Sequence, residues 1–508
     1  MNFIKAFENE LNEEKCYTEN GATAYKTSGS KLLDINFSVS SLRNMTCNQI
    51  YNKFMDAYYE NPRLAIKWLF YCRDVRGGLG ERRTFRIIIY HLAYIQPTLV
   101  DQLVEHIAHY GRYDDLLCLL DTPVKNTVLN YIENQIYADL QAMPKGDSIS
   151  LIGKWLPSFG ASSSETKRYA KIIANHLNLG EKPYRKLLTK LRRYIDIVES
   201  KMSANLWSEI DYSTVPSRAN LIYGNAFLKR DEHRRLEYIQ SLSKGETKIN
   251  AGVLYPHDII HRYIQDDSTS FAPHVSYNDT MEELWKALSN SGKTCGNILV
   301  VGDGSGSMLT KVGNTNISAL EVANALEIYF AERCSGPFKD KYITFSHDPQ
   351  LVDLSGAKNL LEKILKARRH NEIANTNIEK TFDLILTTAV KNNISQEDMP
   401  EAILIISDME FDSATTGFVN KTLFENIRQN FESKGYKVPR LVFWNVNSRT
   451  HGIPIKENDL GVTLVSGFSV NIIDMVMSDE LDPYKCLIKV LESDRYQRIE
   501  DTLKNFNA

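Results

Sequence analysis

The residues best suited to chemistry lie in a short turn near residue 303. An apolar run, residues 298–301, leads into Asp303, Ser305 and Ser307, and a glycine separates each of these residues from the next. A carboxylate and two hydroxyls are hard oxygen ligands, and an ion held by so few of them keeps several waters, as Mg²⁺ does. The glycines allow tight-turn dihedrals and a close approach of the backbone to the ion. The turn therefore predicts a site for Mg²⁺ or another divalent cation.

The segment that carries this turn alternates short apolar runs with helical patterns from about residue 294 onward. Nearly continuous apolar strands separated by helices are typical of an α/β, doubly wound parallel sheet. In such a sheet the ligand lies beyond the carboxyl ends of the strands, which is where Asp303 falls. Ser318 and Glu321 have the spacing of a capping box at the start of the first helix. The predicted strands are 297–301, 341–345, 402–406 and 440–446, and the predicted helices are 318–333, 356–368, 377–390 and 423–432.

Two further loops supply oxygen ligands that the turn lacks. Asp408 comes just after the strand at 402–406, and Thr376 lies in the loop before the helix at 377–390. The alternative is that Asp303 and Asp408 are only helix caps or turn formers. That alternative weakens when the three loops are taken together, because they occur in the right order on the right structural types.

Together these loops resemble the metal-ion-dependent adhesion site (MIDAS) of a von Willebrand factor A domain, which has a Rossmann-like fold. The resemblance implies that one coordination position stays open for a carboxylate or other oxygen from a partner, such as an acidic protein ligand. One departure is Asn375, since members of that family often have glycine before the threonine. The Mg²⁺ ligands that the resemblance implies are Asp303, Ser305, Ser307, Thr376 and Asp408.

The preceding part of the chain has the apolar spacing of helices. Between about residues 46 and 285, helices of 10–15 residues follow one another with short turns and without strand alternation. This pattern is typical of stacked antiparallel helix pairs in an α-solenoid. We therefore predict an N-terminal arm over 1–45, an α-helical repeat domain over 46–290, and an α/β domain with C-terminal helices over 291–508.

Positive charge is concentrated in the helical part. Residues 151–250 contain 18 Lys and Arg against 10 Asp and Glu, although the net charge of the whole chain is −3. Cations repeated every three to five residues share one side of a helix and suit a phosphate backbone, and Tyr169, Tyr184 and Tyr194 could stack on unpaired bases. The alternative is a solvated helix face with the tyrosines in the core. The candidate RNA-binding residues are Arg73, Arg76, Arg82, Arg83, Lys167, Arg168, Lys171, Arg185, Lys186, Lys190, Arg192 and Arg193.

Short motifs in the helical part carry a family resemblance. They are Asn61-Pro62, RDVRGGLGER at 73–82 and YGRYDDL at 110–116. Followed by a von Willebrand A domain, they resemble the Ro (TROVE) family, and in particular its little-characterised TROVE-like branch. The resemblance implies a ring of HEAT-like helical repeats closed by the A domain. It also implies that single-stranded RNA ends enter a basic hole and that small structured RNAs bind the outer surface.

Composition limits the possible classes of function. Seven dispersed cysteines without a C-x-x-C pair argue against a disulfide framework or zinc knuckle and for a reducing compartment. A secretory h-region and an apolar run of about eighteen residues are both missing, so we expect a soluble, cytoplasmic protein that contacts no membrane. We expect no enzyme, because no Ser/His/Asp arrangement or acid–base pair is legible.

The sequence thus favours a non-enzymatic, Ro-like RNA-binding protein of a ribonucleoprotein, with Mg²⁺ as its cofactor. The alternative is a metal-dependent protein-interaction or assembly scaffold, as a component of a larger particle. In that alternative the metal binds an Asp or Glu of a partner and the helical ring is a scaffold.

Overall fold

The computed structural model describes residues 15–18, 23–265, 276–290, 294–345, 349–370, 378–411, 423–449, 453, 462–472, 475 and 482–507. The chain divides into two compact units, and each unit is built from two separate stretches of sequence. The α/β unit comprises Met1–Ala65 and Leu254–Leu491, and the helical unit comprises Ile66–Val253 and Glu492–Ala508.

The centre of the α/β unit is a six-stranded mixed sheet, and a separate two-stranded hairpin precedes it in the chain. The hairpin strands are β1 (Lys15–Tyr17) and β2 (Thr23–Tyr25). The sheet strands are β3 (Ile298–Asp303), β4 (Lys341–Phe345), β5 (Gln350–Asp353), β6 (Ala402–Ser407), β7 (Arg440–Asn445) and β8 (Val462–Ser466).

The strand order places the predicted ligand turn at the middle of the sheet. The order is β5-β4-β3-β6-β7-β8, and the strands run parallel except for β5, which is antiparallel to β4 at one edge. Every residue of β3 and β6 is buried, as expected for nearly continuous apolar strands covered on both faces. The chain continues from β3 to β4 on one side of β3, whereas β6 pairs with β3 on the other side. The crevice at the carboxyl ends of β3 and β6 is therefore a topological switch point.

Helices make up most of the remaining described structure. The capping box at Ser318 is confirmed, since the Ser318 amide donates to Glu321 Oε2 at 2.7 Å and the Glu321 amide donates to Ser318 Oγ at 3.2 Å. In chain order the helices are α1 (Lys31–Phe37), α2 (Val39–Leu42), α3 (Cys47–Glu60), α4 (Pro62–Arg73), α5 (Arg82–Ile95), α6 (Pro97–Tyr110), α7 (Lys125–Ala142), α8 (Ile152–Trp155), α9 (Ser164–His176), α10 (Glu181–Tyr194), α11 (Val198–Ser203), α12 (Ser217–Arg230), α13 (Glu232–Ser243), α14 (Pro256–Gln265), α15 (Asp279–Asn290), α16 (Ala319–Ala331), α17 (Leu360–Arg369), α18 (Ile378–Lys391), α19 (Leu423–Ser433), α20 (Pro483–Leu491) and α21 (Gln497–Asn507).

The coarse prediction of a helical region and an α/β domain is confirmed, with a mixed sheet in place of a purely parallel one. The four predicted strands correspond to β3, β4, β6 and β7, whereas β5 and β8 were not predicted. The finer assignments to HEAT-like repeats and to a von Willebrand A domain stay predictions.

The predicted arm over residues 1–45 includes a buried part of the α/β unit. Helices α1 and α2 bury most of their side chains, and the Ser40 amide donates to Ser466 Oγ at 3.0 Å. The Ser40 hydroxyl also donates to Asn445 Oδ1 at 3.1 Å, at the carboxyl end of β7. The segment looks polar in sequence, yet Ser30, Ser38 and Ser40 are buried and form hydrogen bonds inside the protein, which composition alone does not reveal.

The other two predicted domains also differ from the compact units. Residues 254–290 belong to the α/β unit, where the Trp285 indole donates to Glu332 Oε2 at 3.0 Å. Residues 492–508 belong to the helical unit, where Lys67 Nζ lies 2.9 Å from Glu500 Oε2. Both segments are helical in pattern, and a helical pattern does not tell which neighbour buries its apolar face.

Replacing Glu500 by alanine should strongly destabilise the helical unit. The Lys67 and Glu500 side chains are 2% and 8% exposed, so the substitution leaves a buried ammonium without its counter-ion. Such a loss typically costs about 3–5 kcal/mol, measured as the free energy of unfolding in urea. Lys504→Ala is the control, because this exposed lysine lies 3.8 Å from the same carboxylate. An equal effect of the two substitutions would contradict a structural role for the buried pair.

Acid should destabilise the α/β unit through His257. The imidazole is buried beside Phe468 and near Arg43, and burial lowers its pKa to about 4. The unfolded chain binds a proton near pH 6.5 and the folded chain does not, so stability is lost as pH falls from about 6.5 to 4, by about 3 kcal/mol. His257→Gln should flatten this part of the stability–pH curve, and an unchanged slope would show that His257 is not responsible.

Candidate functional site

The pairing of β3 with β6 brings two of the predicted ligand loops to one edge of the sheet. Gly302 pairs with Ile406 in parallel register, so Asp303 and Asp408 emerge close together at the carboxyl ends of the two strands. Asp303 is 1% exposed and Asp408 is 0% exposed. Two buried carboxylates therefore lie at the switch point, where α/β sheets bind their ligands.

The Asp303 turn is ordered by its own polar groups. Asp303 Oδ1 accepts a hydrogen bond from the Ser305 amide at 2.9 Å, and Asp303 Oδ2 accepts one from the Ser407 hydroxyl at 2.6 Å. Ser305 Oγ and Ser307 Oγ lie 2.9 Å apart. Asp303 does form a turn, as the alternative interpretation holds, but the turn also gathers both serine hydroxyls at the same point.

The Asp408 carboxylate is incompletely satisfied. Its Oδ1 accepts a hydrogen bond from the Glu410 amide at 3.3 Å, whereas its buried Oδ2 accepts none within the described parts of the chain. Burial and the neighbouring charges of Asp303 and Glu410 raise the pKa of Asp408 to about 7, and the nearby Ser307 hydroxyl and the charge of Arg449 oppose the rise. A buried carboxylate oxygen without a donor is costly unless a cation is present. We call Asp303, Ser305, Ser307 and Asp408 the carboxylate site.

Sequence reasoning missed two groups that border the carboxylate site. Glu410 is buried, and its Oε1 accepts a hydrogen bond from the Arg449 amide at 2.8 Å. The Arg449 guanidinium lies 3.6 Å from Asp408 Oδ2. Glu410 is two residues from Asp408 and could have been found from that spacing. Arg449 follows a different strand, β7, so no local sequence signal points to it.

A third group that sequence reasoning missed is Glu327, which lies on α16 beside Gly302 of β3. Burial, and secondarily the charge of Asp303, raises the pKa of Glu327 to about 8. This carboxyl is therefore protonated near neutral pH and adds no negative charge to the carboxylate site. A Cβ at position 302 would lie 2.0 Å from Glu327 Oε1, so a larger residue there would force the Glu327 side chain to move.

The donor set fits a hard, well-hydrated cation. Thr376, the fifth predicted ligand, lies outside the described residues. Over the described ranges, no group of three or more His, Cys, Asp or Glu side chains is arranged to hold a metal ion. Two carboxylates with two hydroxyls are a poor set for zinc but suit an ion such as Mg²⁺, which keeps several waters.

A second candidate site lies on α10 of the helical unit. Tyr184, Leu188 and Leu191 form its buried face. Its opposite face borders a cavity of about 1190 Å³. Five cations line this cavity, which we call the basic groove: Lys182, Arg185, Lys186, Lys190 and Arg193, together with Met143, Glu181, Thr189 and Tyr194.

Three predicted RNA-binding arginines have structural partners instead. Arg73 is buried, and its Nη2 lies 2.7 Å from Asp115 Oδ2. Arg168 forms a two-bond pair with Asp121, with N–O distances of 2.6 and 2.5 Å. Arg192 donates to the carbonyls of Gly153 and Leu156 at 2.8 and 3.0 Å, respectively. These partners are 36 to 47 residues away in sequence, so counting charges does not reveal them.

The remaining predicted cations are exposed but do not line the basic groove. Arg76, Arg82 and Arg83 surround the glycine-rich turn before α5, and Arg82 Nη1 lies 3.7 Å from Asp114. Lys167 and Lys171 project from α9. Their role in RNA binding stays a prediction.

Two of the three candidate stacking tyrosines belong to the core, as the alternative interpretation held. Tyr184 is fully buried and its hydroxyl donates to the Pro157 carbonyl at 3.0 Å. Tyr169 is buried and its hydroxyl donates to Asp121 at 3.2 Å. Tyr194 lines the basic groove, where its hydroxyl donates to the Asp147 carbonyl at 2.8 Å.

The glycine-rich motif at 73–82 has a structural role within the helical unit. Asp74 is buried, and its Oδ1 accepts hydrogen bonds from the amides of Arg76 and Gly77 at 2.9 and 3.1 Å. The same carboxylate pairs with the Arg495 guanidinium and accepts the Tyr496 hydroxyl at 3.1 Å. The motif thus fastens the C-terminal segment of the chain, and it does not have the geometry of a phosphate loop.

Among the helices that the structure describes, none is both long enough and apolar enough to span a bilayer.

Comparison with known proteins gives one relative that matches most of the length of this chain. "Uncharacterized protein L728" of Acanthamoeba polyphaga mimivirus is 32% identical over 524 residues, which cover 94% of this chain and 87% of the relative. Among solved structures, the crystal structure of the Deinococcus radiodurans RO (RSR) protein is similar with a TM-score of 0.33 and 10% identity, over 77% of this chain and 92% of that chain.

Two family models divide the sequence near the start of β3. The model described as Domain of unknown function (DUF7788) matches residues 297–505. The model described as Domain of unknown function (DUF2828) matches residues 18–134 and 124–298, more than half of the chain. The chain therefore belongs to the DUF2828 family.

Proposed function

We propose that this chain is a Ro-like RNA-binding protein without a catalytic role, and that its helical unit contacts RNA through the basic groove. The observation that carries the proposal is the composition of the groove: five cations of one helix face a single cavity of about 1190 Å³. The acid beside them is Glu181, whose carboxylate lies 3.9 Å from Arg185.

The arrangement of these cations suits a polyanion better than a small ligand. Lys182 and Arg193 are eleven residues apart, which corresponds to about 16 Å along a helix at ~1.5 Å per residue. A row of that length can follow several phosphates of one strand. Release of condensed counterions then supplies most of the binding free energy and makes it dependent on salt.

We further propose that the carboxylate site holds Mg²⁺ or a similar divalent cation. Asp303, Ser305, Ser307 and Asp408 fit such an ion, because they offer hard oxygens and one of them, Asp408 Oδ2, is buried without a donor in the described structure. The family resemblance adds Thr376. A bound dication supplies positive charge and an open coordination position for an oxygen of a partner.

A metal-dependent protein-interaction or assembly scaffold is the second candidate. It is favoured by the position of the carboxylate site at the carboxyl ends of β3 and β6, the edge at which α/β sheets bind ligands. It predicts that an acidic protein partner binds only with the divalent ion, and that EDTA reverses this binding while RNase does not affect it.

Reversing three charges in the basic groove should weaken RNA binding and reduce its dependence on salt. Arg185→Glu, Lys186→Glu and Arg193→Glu together remove three cations from the row. The slope of log affinity against log salt should decrease by about 2, at ~0.7 per cation for single strands. Fluorescence anisotropy with a labelled single-stranded oligonucleotide, recorded over a salt series, measures both quantities.

The matched control reverses Lys229, Arg230 and Lys244, three exposed cations of the same unit outside the groove. It changes the net charge by the same amount, so a comparable loss of affinity would mean that only overall charge matters. Absence of RNA binding by the unmodified protein at low salt would rule out the proposed function.

Asp303→Asn should abolish Mg²⁺ binding measured by isothermal titration calorimetry. The substitution keeps the shape of the turn but removes one of the two buried negative charges that attract the dication. Asp353→Asn is a closely matched control, because Asp353 also ends a strand and accepts a hydrogen bond from the amide two residues on, at Ser355, at 2.8 Å. Retained Mg²⁺ binding by Asp303→Asn would show that Asp303 is only a turn former.

A further inference from the structure

Arg449 reaches the carboxylate site from the loop that follows β7. Its Nη2 lies 3.6 Å from Asp408 Oδ2, the same buried oxygen that accepts no hydrogen bond within the described structure. That separation is beyond hydrogen-bond range, so the guanidinium interacts with the carboxylate mainly through its charge. The contact is an ion pair without the two-bond geometry that arginine and carboxylate usually adopt.

The Arg449 backbone is held in place and its side chain is partly exposed. Its amide donates to Glu410 Oε1 at 2.8 Å, which fixes the start of the side chain at the border of the site. The Arg449 side chain is 30% exposed, whereas that of Asp408 is fully buried. The guanidinium is therefore the more exposed member of the pair, on a backbone that the contact with Glu410 anchors.

We propose that the Arg449 guanidinium competes with the divalent cation for Asp408. When the ion is absent, the guanidinium partly neutralises the buried Asp303 and Asp408 carboxylates, and when the ion binds, the guanidinium leaves Asp408 and turns into solvent. The inference rests on the proposed Mg²⁺ site and concerns the residue that sets its affinity. The reason is electrostatic: a hydrated dication and a guanidinium cannot both occupy the solvent side of one carboxylate without mutual repulsion.

A purely structural Arg449 makes a different prediction. If the guanidinium only supports the loop, its removal weakens the folded protein equally with and without the ion, and Mg²⁺ affinity stays the same or decreases. Competition instead requires that removal of the guanidinium strengthens Mg²⁺ binding and destabilises only the ion-free protein. The two roles are separated by the sign of the change in affinity.

The test is a calorimetric Mg²⁺ titration of the full chain and of Arg449→Met at one low ionic strength, with thermal unfolding in EDTA and in saturating Mg²⁺. Methionine keeps an unbranched apolar stem and removes the charge. Arg449→Met should bind Mg²⁺ about two- to fivefold more tightly, the range expected when a partly exposed ion pair no longer has to be broken. Its melting temperature should fall below that of the unmodified protein in EDTA, and the difference should disappear in Mg²⁺.

Arg369→Met serves as the matched control, since Arg369 is an exposed arginine of the same unit at the end of α17. Its Mg²⁺ affinity should equal that of the unmodified protein. Equal or weaker Mg²⁺ binding by Arg449→Met, with binding by the unmodified protein intact, overturns the competition and leaves the metal site standing. Absence of Mg²⁺ binding by both proteins overturns the metal site and the competition with it.

Discussion

The parallel pairing of β3 with β6 is the interaction on which the α/β unit and its candidate chemistry depend. It fixes two aspartates at one edge of the sheet, both almost completely removed from water. Backbone hydrogen bonds along the two strands hold Asp303 and Asp408 together although their negative charges repel. The repulsion is reduced by the Ser407 hydroxyl, by Arg449, and, in our account, by a divalent cation. Without the pairing of β3 with β6 the two carboxylates would not meet, and the polar contacts around them would have no purpose.

The protein places little further negative charge and few neutralising groups around Asp303 and Asp408. Burial raises the pKa of Glu327, which lies beside Gly302 of β3, to about 8 and so favours its neutral form near neutral pH. Glu410 is engaged by the Arg449 amide. The site is thus left with two carboxylates, two hydroxyls and one guanidinium at its border, a composition that attracts a dication and that a single arginine neutralises only in part.

The cations of the helical unit fall into two groups with different surroundings. Arginines with partners far away in sequence, such as Arg73 with Asp115, hold helices together. The cations on the outer face of α10 border a cavity and are available to a polyanion. A local excess of positive charge therefore indicates a binding function only when the cations that form internal ion pairs are left out of the count.

Much of the α/β unit could be predicted from the sequence, because its signals are local. Apolar runs that end in Asp303 and Asp408 indicate both the strands and the edge at which the carboxylates meet, and Ser318 with Glu321 marks the start of α16. What could not be predicted depends on contacts between distant segments. Residues 31–45 pack on the α/β unit, and the C-terminal helix packs in the helical unit, because of side-chain fits that have no periodic signature. Arg449 approaches Asp408 from a different strand for the same reason.

The central claim is that the edge formed by β3 and β6 binds a divalent cation. Crystals of the protein grown with Mn²⁺, which replaces Mg²⁺ and scatters X-rays anomalously, test it most directly. The account predicts an anomalous difference peak within coordination distance of Asp303 and Asp408 and next to the hydroxyls of Ser305 and Ser307. A map without a peak at this edge, from crystals soaked at millimolar Mn²⁺, would contradict it.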